Sequence, residues 1–278
     1  MNISAKQTAP AAAEVWSTGD YADVCERMIP DLGARLVKIA DVSAGHDVLD
    51  VATGTGNAAL PAAAADATVT ALDITPALLK AGAERATAAG LGIKWVHGDA
   101  HVLPFPDDSF DRVLSCVGVQ FCADHDAAAS ELVRVCRPGG RIALIAWTRE
   151  GFFGQVLAAV GQAMGGPRSG PSPLDWGSEQ CVTNLFAALA VDIQSHRDHV
   201  VVPAESASAW VDYMATAYGP MARARVALEA RGAWQPLREQ LIEIVNAHRI
   251  RDDATPAVRA EYLTVLLRRQ GEASHVRV

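Results

Sequence analysis

The residues best suited to do chemistry gather around two acids and an unusually bare turn. In VLDVATGTGNAAL, residues 48–60, an apolar run carries Asp50 near its end, and Gly54-Thr55-Gly56 leads into an alanine-rich stretch. Glycines after a strand let backbone N–H groups come close to a ligand, because no side chain fills the space and unusual turn conformations are open to them. Ala59 stands where a GxGxxG/A phosphate-binding pattern has its third small residue. Asp50, however, would repel a pyrophosphate there and would favour a ligand bearing an ammonium or sulfonium group. Taken alone, a GxG turn is equally a tight connection that binds nothing. The second acid, Asp73, ends TVTALDI just before Thr75-Pro76, where it reads either as a ligand or as a turn and capping residue.

Other reactive side chains are less pointed. His196 and His199 in HRDH have a spacing some metal sites use, but in an extended segment they face opposite sides of a sheet, and no third ligand of the usual kind is near. No metal site is assigned. His101 in HGDAH and His125 in CADHD flank the fourth expected strand, and His125 could face a substrate. Cys116 and Cys122 lack an identifiable oriented base and read as small buried residues. Asp107, Asp108 and Asp111 read as surface turn acids without a role. Trp176, Trp210, Tyr213, Tyr218 and Trp234, with Trp16 and Tyr21 near the start, suit either a core or an apolar pocket.

These residues need a scaffold, and the chain is long enough to supply one: 278 residues, 50% hydrophobic and 20% charged. Apolar runs at about Asp47–Val51, Thr68–Asp73, Ile93–Gly98, Asp111–Cys116 and Gly140–Trp147 alternate with helical stretches, the pattern of crossover units in a parallel sheet. TPALLKAGAERATAAG predicts a helix with Thr75 as N-cap, Pro76 at its first position and Gly90 past its end. Pro30 should break GDYADVCERMIPDLGARLVKIADV into two short helices. GGPRSGPSPLDWG reads as a loop or boundary, and two further strands, AVDIQSHRDHVVV and AEYLTVLLRR, enclose a helical stretch from about Glu205 to His248. A net charge of −8 and the absence of a basic cluster argue against a nucleic-acid partner. No run is long enough for a membrane span, and the five cysteines form no CxxC pair, so the expected location is the cytoplasm.

In this order the stretches resemble class I S-adenosylmethionine-dependent methyltransferases, with a likeness to quinone-biosynthesis enzymes and actinobacterial small-molecule methyltransferases. Residues 48–60 resemble the family's first motif; TVTALDI, VHGDAHVLPFPDDSFD, FDRVLSCVGVQF and ELVRVCRPGGRIALIAW resemble the stations that follow. The resemblance implies cofactor contacts from Asp50, Ala52, Thr53, Gly54, Thr55 and Gly56, and from Asp73, which would bind both ribose hydroxyls, with Ile74. It further implies Asp99 at the adenine amine, Ala100 at a ring edge, His101 along the base, and Ser115, Cys116 and Val117 near the bound cofactor. The implied fold is α/β: a Rossmann-like sheet, mostly parallel with an antiparallel last strand. It would carry an N-terminal helical lid (1–45), a cofactor-binding core (46–203 plus 256–270) and a helical substrate cap (204–255). The implied activity is methyl transfer from S-adenosylmethionine, leaving S-adenosylhomocysteine, to a small and partly apolar acceptor by O-, C- or N-methylation. Tyr21, Gln120, His125 and Tyr218 are the candidates for contact with the acceptor. Such a displacement has an activated leaving group, so aligning donor and acceptor supplies most of the catalysis and a general base is optional. Alternatives are a non-catalytic S-adenosylmethionine-binding protein and an NAD or nucleotide-sugar enzyme on a similar sheet. A homodimer is one open oligomeric state.

Overall fold

A computed structural model describes residues 9–166, 170–250 and 256–271. The chain runs α1 (Ala9–Trp16), α2 (Tyr21–Met28), α3 (Leu32–Ile39), β1 (Asp47–Val51), α4 (Ala59–Ala64), β2 (Thr68–Asp73), α5 (Pro76–Ala88) and β3 (Ile93–His97). It continues with β4 (Phe110–Cys116), α6 (His125–Val135), β5 (Cys136–Trp147), α7 (Phe152–Ala163), α8 (Glu179–Phe186), β6 (Val191–Pro203), α9 (Ala207–Ala217), α10 (Gly219–Glu229), α11 (Trp234–Ala247) and β7 (Ala257–Arg269).

Seven strands form one sheet in the order β3-β2-β1-β4-β5-β7-β6. The first five are parallel, and β7 runs antiparallel to both of its neighbours. The apolar runs of β1, β4 and β5 are buried on both faces, as central strands covered by crossover helices require. Alternate residues of β5 feed different cores: Ile142 and Leu144 enter one apolar cluster, Ala143 and Ile145 the other. Strand order reverses between β1 and β4, so the crevice at their carboxyl ends is the place where an open sheet of this kind receives a ligand.

Local sequence explains most boundaries. Pro30 separates α2 from α3, and Gly90 adopts φ 68° just beyond α5. Thr75 occupies the N-cap position of α5, but its hydroxyl makes no capping bond; its backbone N–H instead donates to Asp73 Oδ1 at 2.8 Å. β5 starts at Cys136 rather than Gly140, because Cys136 pairs with Phe110 across a register irregularity in β4. Of the glycine- and proline-rich stretch after α7, residues 167–169 lie outside the described residues, as do 1–8 of the expected lid and 251–255 of the expected cap. Ser172 caps a short 3-10 turn, Pro173–Asp175, beyond it.

Between β6 and β7 the chain inserts α9, α10 and α11, which pack on one another and on α7. The aromatic residues divide accordingly. Trp210 lies edge-on to Phe152 with ring centroids 4.9 Å apart and, like Trp234, belongs to the buried core. Trp176 packs on Phe186 and His125. Tyr213 donates its hydroxyl to Asp23 of α2 at 2.7 Å. Among α1 to α3, α3 packs against α4, β4 and β5, whereas α1 contacts α10 and α2 contacts α9 and α5. Among the described residues, no helix is long and apolar enough to cross a membrane, and no group of three His, Cys, Asp or Glu is placed to hold a metal ion.

Candidate functional site

A cleft of about 130 Å³ opens at the carboxyl ends of β1, β2 and β4. Its wall carries Ala52, Gly54, Asp73, Ile74, Asp99, Ala100, His101 and Val117 from the sequence-expected set, and Tyr21 from α2. The sequence did not single out Leu72, Leu78, Gly98, Gly118, Phe121 or Ala123, which complete much of the wall with Cys122, Ala12 and Trp16.

Asp73 is the most constrained polar group there. It is 6% exposed; Oδ2 accepts the Gly54 N–H at 2.8 Å and Oδ1 the Thr75 N–H at 2.8 Å. Burial pushes its carboxyl up, and those backbone N–H groups oppose the shift. The β2 acid therefore binds the turn after β1 to its own strand end while one side of it faces the cleft.

The turn after β1 is held in a conformation most residues avoid. Ala52 has φ 53° and Val117, after β4, has φ 62°; a β-branched residue in the left-handed region is a strained outlier of the sort that collects at functional sites. The two strained loops meet at Gly118, where a Cβ would lie 2.4 Å from the Ala52 carbonyl oxygen. Ser115, behind the wall, staples the same junction, donating to the Val51 carbonyl at 2.8 Å and accepting the Val119 N–H at 3.0 Å.

Several expected contact residues stand behind the wall rather than in it. Asp50 is 1% exposed and uses Oδ2 to accept from Thr53 Oγ1 at 2.6 Å and from the Ala59 N–H at 2.9 Å. It thus shapes the turn and the start of α4; burial pushes it up to about 7, and its Oδ1 has no hydrogen-bond partner among the described residues. Thr55 is tied to Arg85, which donates to its carbonyl at 2.8 Å. Beside Gly56 the space belongs to Trp95, whose ring would sit 2.9 Å from a Cβ there and which also lies over Gly82. Beside Gly54 a Cβ would meet the Tyr21 ring at 3.2 Å, so that aromatic cover, and not open space, neighbours the first glycine.

The acceptor candidates also separate. Tyr21 lines the cleft, and its ring lies within an aromatic group with Trp16, Phe121 and Tyr218 in which Trp16 is central, 4.9 Å from Phe121 and 5.8 Å from Tyr218. Tyr218 joins that group without reaching the cleft wall. Gln120 is fully buried, accepting the Trp147 N–H on Oε1 at 2.9 Å, and His125 is buried edge-on to Trp176. Among the described residues Gln120 Nε2, His125 Nε2 and Trp176 Nε1 lack hydrogen-bond partners. Burial holds the phenols of Tyr21 and Tyr218 and the thiols of Cys25, Cys116 and Cys122 above their ordinary values, and it lowers His125. The thiols are therefore neutral, and Cys122 lines the cleft.

A mostly parallel sheet in this order, with a cleft at its switch point and a buried acid ending β2, defines a Rossmann-like α/β fold. Residues 49–144 match the family described as Methyltransferase domain. The chain is 44% identical over 209 residues to Rv1405c, an uncharacterised protein of Mycobacterium tuberculosis, covering 74% of this chain and 76% of that one. It is 39% identical over 126 residues to the demethylmenaquinone methyltransferase of Thermus thermophilus, covering 44% of this chain and 57% of that one. The solved structure of YcgJ from Bacillus subtilis superposes with a TM-score of 0.60 at 18% identity, covering 86% of this chain and 97% of that one, a likeness of fold. The chain belongs to the class I S-adenosylmethionine-dependent methyltransferases.

Proposed function

We propose that the cleft at the ends of β1, β2 and β4 is the S-adenosylmethionine site and that the enzyme methylates a small, partly apolar acceptor. Asp73 carries this reading: a buried carboxylate in the cleft wall, fixed by one backbone N–H on each oxygen, with lone pairs left to accept from a ribose diol. Asp99 would accept from the adenine amine, and Leu72, Ile74, Leu78 and Ala100 would pack on the base. Ala52 and Gly54 would offer backbone to the amino-acid end, while Asp50 shapes their turn from behind.

When bound, S-adenosylmethionine supplies a methyl group on a sulfonium, an already activated leaving group. The chain's own residues have to align the acceptor and exclude water, which can account for about 7–11 kcal/mol of barrier lowering. Trp16, Tyr21 and Phe121 form the apolar cover that does this. Because burial keeps the phenols of Tyr21 and Tyr218 protonated, neither is a ready base. His125, kept neutral by burial, and Gln120 are buried behind the wall and would support it rather than meet the acceptor. The cover favours an aromatic or aliphatic acceptor carrying its own nucleophilic or readily ionised atom.

Methyl transfer from radiolabelled S-adenosylmethionine to panels of phenols, carbon acids, amines and thiols tests this, with Phe121→Ala and Trp16→Ala alongside wild type. The expected result is preference for apolar acceptors, reduced in both variants. Transfer only to highly charged acceptors, indifferent to the two aromatic residues, would contradict it.

A further inference from the structure

At the far side of the cleft His101 has a hydrogen-bond arrangement that fixes its proton. The backbone N–H of Asp124 points at His101 Nε2 at 3.1 Å. A backbone amide can only donate, so Nε2 is the bare nitrogen and Nδ1 carries the hydrogen. Nδ1 lies 2.6 Å from Asp99 Oδ1, and the His101 backbone N–H reaches the same oxygen at 2.9 Å. Both donors of His101 therefore converge on Oδ1, and Asp99 Oδ2 is left without a partner among the described residues, on a side chain that lines the cleft. The other end of the imidazole is anchored as firmly. Asp124 is the N-cap of α6, its side chain accepting the Ala127 N–H at 3.0 Å, so the ring spans from the turn after β3 to the start of that helix.

We infer that His101 is a positioning residue that sets purine specificity, by locking the Asp99 carboxylate with its free oxygen turned to the cofactor's base. The inference rests on the cleft being the cofactor site proposed above. A fixed carboxylate oxygen accepts from a 6-amino purine. Against a 6-oxo purine it faces another oxygen, and a carboxylate that cannot rotate away makes that mismatch count. An unlocked Asp99 could swing to water, and the discrimination would fall while the apolar packing on the base remained.

The test is calorimetric titration of wild type, His101→Ala and His101→Gln with two probes, S-adenosylhomocysteine and its inosine counterpart, in which an oxo group replaces the purine amine. Glutamine can donate with its nitrogen toward Asp99 and accept the Asp124 N–H with its oxygen. Wild type should prefer the adenine probe by at least about tenfold, the scale of one hydrogen bond to a charged group. In His101→Ala that preference should collapse to within about threefold through weaker adenine binding alone, and His101→Gln should restore most of it. Equal weakening of both probes in His101→Ala, or an unchanged preference, would overturn the assignment. If wild type binds neither probe, the proposed cofactor site fails and the assignment with it, an outcome distinct from binding without discrimination.

Discussion

Gly118→Ala is a one-methyl perturbation whose effect can be worked from the site. Gly118 has φ −85° and ψ −58°, a conformation alanine adopts freely, so backbone strain plays no part. Space decides. The added Cβ would lie 2.4 Å from the Ala52 carbonyl oxygen, 2.6 Å from the Ala52 Cβ and 3.1 Å from Ser115 Oγ. Two of these belong to a strained loop and none is the tip of a long side chain, so the β1 and β4 loops must part. Overpacking of this kind costs about 1–3 kcal/mol. For a chain of this size that corresponds to a Tm drop of roughly 2–12 °C, at about 2–4 °C per kcal/mol. Parting the loops also shifts Ala52 and Val117, both in the cleft wall, and should weaken S-adenosylhomocysteine binding by at least about tenfold. Gly54→Ala provides the contrast. Its φ of 57° makes alanine unfavourable by about 1–2 kcal/mol, but its Cβ meets only the Tyr21 ring, which can turn aside. Scanning calorimetry with ligand titration reads both. A Gly118→Ala protein with wild-type Tm and affinity would refute the argument that the two loops are held in contact for the sake of the cleft.

Three further expectations follow from the buried groups. Burial raises Asp50 from 3.8 to about 7, so its contribution to stability is complete below the unfolded value and is lost as pH rises through about 7. Between pH 6 and 8 wild type should lose about 1 kcal/mol relative to Asp50→Asn, read from urea midpoints; parallel curves would contradict it. Cys122, pushed up to about 12 by burial, should resist iodoacetamide at pH 8 in the folded protein and react on unfolding. Rapid alkylation of the native thiol would mean that it is not the neutral wall residue described. Trp210→Ala, which empties the buried contact with Phe152, should cost about 3–5 kcal/mol, and denaturant unfolding that moves by less than about 1 kcal/mol would deny Trp210 its place in that core.

What the sequence revealed and what it hid have physical reasons. Short apolar runs with period and caps located β1, β2, β3 and α5 closely, because central parallel strands must be apolar on both faces and helix ends must satisfy backbone groups. The residues that form the cleft by direct polarity, Asp73 and Asp99, were legible for the same reason that they are costly: acids at strand ends need partners. Gly118, Leu72, Phe121 and Trp16 were not legible as wall residues, since small and apolar side chains look the same in a core and in a pocket. At Gly56 the missing side chain makes room for Trp95, a neighbour 39 positions away that the sequence did not show. Asp50 and Ser115 belong to the site's construction but act on backbone groups behind it, a distinction that only the folded geometry draws. Thr75 has the right residue type for a cap, yet its hydroxyl makes no capping bond.

The measurement that bears most directly on the account is titration of the purified protein with S-adenosylhomocysteine, with NAD as the competing ligand and Asp73→Ala, checked for folding by circular dichroism, as the comparison. The account predicts about micromolar binding of S-adenosylhomocysteine by wild type, a loss of tenfold or more in the folded variant, and no binding of NAD. Equal affinity in the folded Asp73→Ala protein, or binding of NAD in place of S-adenosylhomocysteine, would contradict it.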